Sequence, residues 1–316
     1  MLKDITTNVK TNLIKRRKVI KQMKNYLELM YKILTQGNVR SDRTGTGTLS
    51  LFGEQLRFDL QKSFPIVTTK YTWFKGIKEE LYWMLKGGTN IKPLNCAGVH
   101  IWDAWANSEG ELGPVYGKQW RNWDAGNGVC RDQVFKLLKD LKENPMSRRH
   151  ILSSWNVADL DDMALEPCHV MCQFYVEQEE YDDYTVNNLS CHMYQRSCDY
   201  FLGAPFNIAQ YALLTEAICL ALSSEAYPLA LEPKNRVHWT AKELIISYGD
   251  VHIYTNHINQ CKTQLGREPI EDHKTLNFPI IDCKGDSSVD RLLFAVKNLE
   301  LFGYKHHPAI KGDISV

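Results

Sequence analysis

The chain has 316 residues, of which 44% are hydrophobic and 24% charged. Those fractions sit near the averages for folded globular domains and exclude a disordered, collagenous or coiled-coil polypeptide. Thirty-eight basic and 37 acidic residues leave a net charge of +1, which excludes a whole-chain nucleic-acid footprint but not a local anion site.

Residues 1–24 form a basic extension, with Lys3, Lys10, Lys15, Arg16, Arg17, Lys18, Lys21 and Lys24 against the single acid Asp4. It reads as a solvated helix or tail, or as a tether to nucleic acid or another partner. Over 26–35 the apolar residues Leu27, Met30, Tyr31 and Leu34 recur at helical spacing, with Gly37 placed as a C-cap. Residues 48–60 have a strand pattern broken at Gly53, the mark of a bulge or bend. A helix is expected over 77–86, stopped by Gly87-Gly88, and an amphipathic helix over 131–142, ended by Asn144-Pro145. Strands are expected at 150–156, 168–176 and 189–196. The most apolar long run, 206–222, contains Asn207, Gln210 and Glu216 and is too short and too polar for a bilayer span, so it reads as a buried core helix. A strand at 244–248 and a helix at 251–265 follow.

Strands and helices mix without strict βαβ alternation, which predicts an α+β fold with one domain over 25–316. Two stretches look like excursions from it, the acidic 177–188 and the loop-like 223–240. The nine cysteines include no CxxC pair and no zinc-finger spacing, and no apolar leader opens the sequence. Free thiols in a reducing cytoplasm, with no metal and no membrane, are the expectation.

Several short stretches carry chemistry. Ser41-Asp42-Arg43-Thr44-Gly45-Thr46-Gly47-Thr48 combines glycines, hydroxyls and an arginine, as an anion-binding loop would, but lacks the ending of a P-loop. Arg148-Arg149 precede one strand and Arg196-Ser197 end another, so three arginine sites can converge on one phosphate. Cys168, in Pro167-Cys168-His169, is either a buried structural thiol or a thiolate nucleophile favoured by nearby arginines. Glu80 lies among Leu81, Trp83 and Met84. It either faces water or is buried with a raised pKa, as a general acid/base would be.

Taken together these motifs resemble the thymidylate synthase family. The resemblance rests on residues 41–48, Trp102-Asp103, Gly113-Pro-Val-Tyr-Gly-Lys-Gln-Trp120, Ser147-Arg-Arg149, Pro167-Cys-His169 and Gln195-Arg-Ser-Cys-Asp199. It continues through Phe201-Leu-Gly-Ala-Pro-Phe-Asn-Ile-Ala209, Asp250-Val-His-Ile-Tyr254 and His307-Pro-Ala-Ile-Lys311, covering roughly 26–316 in family order.

The resemblance implies a single α+β domain with a large mixed sheet, paired sheet to sheet in a homodimer whose sites share arginines. It implies reductive methylation of dUMP to dTMP, with 5,10-methylenetetrahydrofolate giving the carbon and the hydride. Cys168 would add to C6 of uracil, Glu80 would manage protons, and Tyr116 and His169 would stand near the C5 proton. Arg43, Gln195, Arg196 and Ser197 would bind the nucleotide, with Arg148 and Arg149 reaching across from a partner subunit. Asn207 would read the uracil edge, and His252 and Tyr254 the sugar. On the folate side the family implies Lys70, Trp73, Ile101, Trp102, Asp199, Gly203 and Phe206, with Ser315 and Val316 closing the site. The chain departs from the family pattern at Tyr71, Trp73, Glu166 and His192. Two alternatives stay open: a hydroxymethylase of the same superfamily, in which water takes the place of hydride, and a nucleic-acid-binding role for the basic extension.

Overall fold

The computed structural model describes residues 22–223, 236–270, 274–277 and 287–315. Most of the basic extension, residues 224–235 of the second expected excursion, and Val316 lie outside these. The described elements are α1 (Gln22–Gln36), β1 (Asn38–Arg40), β2 (Thr48–Phe52), β3 (Gln55–Asp59), α2 (Phe74–Leu85), α3 (Lys92–Cys96) and α4 (Tyr116–Arg121). Then come β4 (Trp123–Asp124), β5 (Cys130–Arg131), α5 (Gln133–Glu143), β6 (Ile151–Ser153), β7 (His169–Glu180) and β8 (Tyr184–Asp199). The chain closes with α6 (Gly203–Leu222), β9 (Arg236–Tyr254), α7 (Ile258–Leu265), β10 (Thr275–Asn277), α8 (Ser288–Asn298) and β11 (Glu300–Phe302).

Seven strands make the main sheet, in the order β1-β2-β9-β8-β7-β6, with β3 also paired to β9. Every pairing is antiparallel except β8 with β9, which is parallel. That one parallel pair requires a crossover, and α6 supplies it. The sheet is mixed and the fold is α+β, as the sequence pattern implied. Gly53, with φ of +83°, turns the chain between β2 and β3, so both lie along the same side of β9.

Helix α6 is apolar on all sides, and 15 of its 20 residues are buried. A helix with no polar face belongs in a core, and it packs against β8, β9, α2 and α8. It is the one described helix long and apolar enough to cross a membrane, and here it is the hub of the core. On α2, Ile77, Glu80, Leu81 and Met84 are buried at helical spacing, which turns Glu80 inward along with the apolar side chains.

Residues 177–188 extend β7 and β8 as a hairpin, pairing Glu177 with Asn188 and Glu180 with Thr185. Two expectations are corrected. Residues 236–240 belong to β9, which pairs in parallel with that extension from Tyr184↔Arg236 onward. Residues 251–254 are not helix but the end of β9, held between Leu49–Leu51 on one side and Cys198–Asp199 on the other. A short apolar run has no decisive period, and long-range pairing settles its type.

Candidate active site

A cavity of about 810 Å³ opens where the C-terminal ends of β8 and β9 meet the start of β7 and the N-terminus of α6. The loop before β2, α2, the 101–105 turn and the chain end at 312–315 complete its wall.

Cys168 stands on the turn entering β7 and is partly exposed to the cavity. Its backbone N–H donates to Tyr116 Oη at 2.8 Å, and its carbonyl accepts from the Arg196 N–H at 2.9 Å. The Arg196 guanidinium donates to the carbonyls of Pro167 (3.0 Å) and Glu166 (2.9 Å), and lies 3.5 Å from the Glu166 carboxylate. Burial pushes the Cys168 thiol up, Arg196 pulls it down and Glu166 raises it again, with a net rise. Arg196 thus favours the thiolate, as expected of a nearby arginine, but desolvation outweighs it.

Glu80 is buried at the inner end of the cavity. Its carboxylate accepts from Trp102 Nε1 and from Gln210 Nε2, each at 2.8 Å. Burial pushes it up to about 7 against the pull of those two hydrogen bonds. Of the two alternatives the sequence left open, the structure adopts the buried carboxyl.

His169 is buried against the rings of Tyr116 and Tyr211 and held down to about 4 by burial, hence neutral near pH 7. Its Nε2 meets Asn207 Nδ2 at 2.7 Å, while Asn207 Oδ1 accepts from Gln195 Nε2 at 2.9 Å. Two neighbours thus fix which way the Asn207 amide faces. One N–H and one oxygen lone pair remain for a ligand in the cavity.

The anion-binding side is built from Arg40, Arg43, Arg196 and Ser197, all lining the cavity. The Asp42 carboxylate accepts from the backbone N–H of Gly47 (2.7 Å) and Thr44 (3.1 Å) and from the Thr44 hydroxyl. That closes the loop and directs Arg43 inward. Arg43 makes no hydrogen bond or ion pair with another described residue. His252 Nδ1 is 2.9 Å from Asp250 Oδ1, which also accepts from Ser50 Oγ at 2.8 Å, while Arg40 pairs with the other carboxylate oxygen. Tyr254 lines the cavity beside His252, with the two rings packed edge to face.

Ile101, Trp102, Trp105, Leu202, Gly203 and Phe206 form an apolar wall next to the Asp199 carboxylate. A flat heteroaromatic ring with a hydrogen-bond donor fits that surface. Asp199 Oδ1 accepts from the backbone N–H groups of Phe201 and Leu202, each at 3.0 Å, which fixes it at the start of α6. The chain end returns to this wall. A Cβ on Gly312 would come within 2.8 Å of the Phe201 ring, and Ser315 Oγ lies 3.4 Å from Thr46 Oγ.

A family model described as thymidylate synthase matches residues 24–316. The chain belongs to the thymidylate synthase family. As a member it is an enzyme of the methyltransferase type that this family comprises, whose members methylate dUMP and use methylenetetrahydrofolate.

Most of the residues expected in a thymidylate synthase site come together here, but some do not. Lys70 is buried away from the cavity, with Nζ donating to the Phe201 carbonyl at 2.5 Å and 3.7 Å above the Phe201 ring. Burial pulls it down to about 8, against the charge of Asp199. In this structure Lys70 braces the Phe201 turn and does not face a ligand. Trp73 lies in a separate hollow with Thr72, Lys75, Lys78 and Tyr304. Arg148 and Arg149 are exposed at the sheet edge, outside the cavity, and Val316 lies outside the described residues. Among the described residues no group of three His, Cys, Asp or Glu side chains is placed to hold a metal.

Sequence reasoning missed Asp250 and Gln210. Asp250 stands two residues before His252 on the same strand, and period-two spacing puts both on one face. Gln210 follows Asn207 by three residues on α6, and a second amide within so apolar a helix was its signal.

Proposed function

We propose that this family member carries out reductive methylation of dUMP to dTMP through a covalent bond between Cys168 Sγ and C6 of uracil. The supporting observation is that a thiol, a buried carboxyl poised near neutrality, an orientation-locked carboxamide and three arginines line one cavity. The nucleotide phosphate lies against Arg43, Arg196 and Ser197. As sulfur bonds to C6, the thiol gives up its proton to solvent in the cavity, and the sulfur leaves C6 again when the methylated product is released. The electron pair that moves to C5 makes that carbon a nucleophile. Asn207 donates to O4 and accepts from N3–H. His252 and Tyr254 hold the sugar. The folate supplies a one-carbon unit and the hydride that reduces it to methyl. The chain's own part is to exclude water with Trp102, Phe206 and the 312–315 tail, and to move protons through Glu80. Tyr116 and the neutral His169 stand at the C5 edge.

We also propose that the functional unit is a homodimer. The outer sheet face exposes Tyr175 at 58%, Tyr194 at 40% and Ile151 at 42%, an apolar surface of the kind that partners cover. Arg148 and Arg149 project from the same edge without an ion-pair partner among the described residues. In a sheet-to-sheet pair they would enter the other subunit's phosphate site.

Product analysis with dUMP and methylenetetrahydrofolate tests the reading. Dihydrofolate and dTMP in equal amounts are expected. Tetrahydrofolate with 5-hydroxymethyl-dUMP would identify a hydroxymethylase instead, and unreacted dUMP would overturn both. 5-Fluoro-dUMP with the folate should label the Cys168 peptide, and a label on any other cysteine would remove Cys168 from its role.

A further inference from the structure

Gln210 touches the proton-handling carboxyl without lining the cavity. It is 2% exposed, and its Nε2 donates to Glu80 Oε2 at 2.8 Å. Its own Oε1 is buried with no hydrogen-bond partner. A buried acceptor left unpaired carries a desolvation cost, and this one sits on the side chain that binds Glu80.

The two protonation states of Glu80 ask for different neighbours. As a carboxylate, Glu80 only accepts, and it receives one donor on each oxygen, from Trp102 and from Gln210. As a carboxylic acid it must donate once. The indole of Trp102 is a donor only and offers the acid proton no acceptor. On Oε2 that proton faces Gln210, where an N–H now points. Turning the Gln210 amide over brings Oε1 to that place, and the unpaired acceptor gains its donor.

We infer that Gln210 is a positioning residue whose side-chain amide turns over in step with the proton on Glu80, so that one buried carboxyl can both hold and release a proton without disturbing Trp102. The inference rests on the proton-transfer role proposed above for Glu80. The other titratable groups facing the carboxyl stay uncharged near pH 7. Burial raises Tyr116 of α4 and Tyr211 of α6 well above their usual range, and the Cys168 thiol is raised too. Burial holds His169 down to about 4. On α2 itself, Glu79 is paired at 2.9 Å with Lys297 of α8, Lys75 is exposed, and Lys78 reaches toward the Leu299 carbonyl. Among the described residues no charged group shifts Glu80 in competition with Gln210.

The test compares wild type, Glu80→Gln and Gln210→Leu in turnover against pH. Leucine fills similar volume but neither donates nor accepts. The lost bond to the ionised form is the stronger one, so the kcat limb belonging to Glu80 should move up by about one to two on the pH scale. KM for dUMP should stay in place, because Gln210 does not line the cavity. A uniform loss of kcat with the limb unmoved would make Gln210 merely structural and overturn the inference.

Infrared difference spectra of wild type carrying 13C-glutamine, taken between about pH 5.5 and about pH 8.5, read the same event without the Gln210 variant. Burial also raises Glu216 to about 7, so the Glu80 band is the carboxylic C=O change that is lost in Glu80→Gln. A glutamine amide band should change with it and be lost with it. A Glu80 band changing without the amide overturns the inference. Wild-type turnover in Glu80→Gln would instead refute the proton-transfer role itself, which separates the two failures.

Discussion

Replacing Glu80 by Gln isolates the cost of burying an ionisable group in the middle of the site. Burial raises the carboxyl from 4.5 to about 7, so over that range the folded protein keeps a proton that the unfolded chain releases. The sign follows from proton counting. Where the folded state binds more protons, stability falls as pH rises. The penalty is absent below about 4.5, grows by about 1.4 kcal/mol per pH unit, and levels off above about 7. The difference of about 2.5 units makes the full penalty about 3.4 kcal/mol. No reduction for solvent screening applies, because the side chain is fully buried. A glutamine at this position never ionises, and the amide of Gln210 can turn to pair with it. The stability of Glu80→Gln minus that of wild type should therefore rise by about 3 kcal/mol between pH 4.5 and pH 8. Glu216, which burial also raises to about 7, is common to both proteins and cancels in the difference. Urea unfolding at fixed protein concentration, at several pH values across that range, measures it. A difference that stays flat with pH would refute the raised carboxyl and the reasoning built on it.

Three further outcomes follow from the site. Asn207→Asp should weaken dUMP turnover and raise that of dCMP, by about 1–3 kcal/mol in preference, because a carboxylate cannot donate to O4 but accepts from an amino group; an unchanged dUMP/dCMP ratio would remove Asn207 as base reader. Mixing an inactive Arg149 variant with an inactive Cys168 variant should restore part of the activity after subunit exchange, and assay of the verified hybrid decides whether sites are shared. Glu166→Gln should lower the Cys168 thiol, since Glu166 is among the groups raising it. With that side chain 51% exposed, alkylation of the Cys168 peptide near pH 7 should speed up by at most about fivefold; an equal or slower rate would show that Glu166 does not act on the thiol.

What the sequence determined by itself was whatever depends on near neighbours. Helix α5 is legible because its apolar residues recur at helical spacing and Asn144 ends it. Helix α6 is legible because residues apolar on every side leave it no place but the core. The ordered motifs from residue 41 to residue 311 marked many of the residues lining the cavity, and the family match spans 24–316.

Tertiary structure decided the rest, for reasons local sequence cannot hold. Residues 251–254 became strand because β2 and β8 offered partners on both sides, and 177–188 became a hairpin because β9 extends beside it. Lys70 sits among the motifs yet points under Phe201, since a side chain's direction depends on what packs over it. The protonation of Glu80, His169 and Cys168 depends on how much water the whole fold removes around them, a sum over residues far apart in the chain. Gln210 acquires a function only because α6 lies across α2 and sets its amide against Glu80.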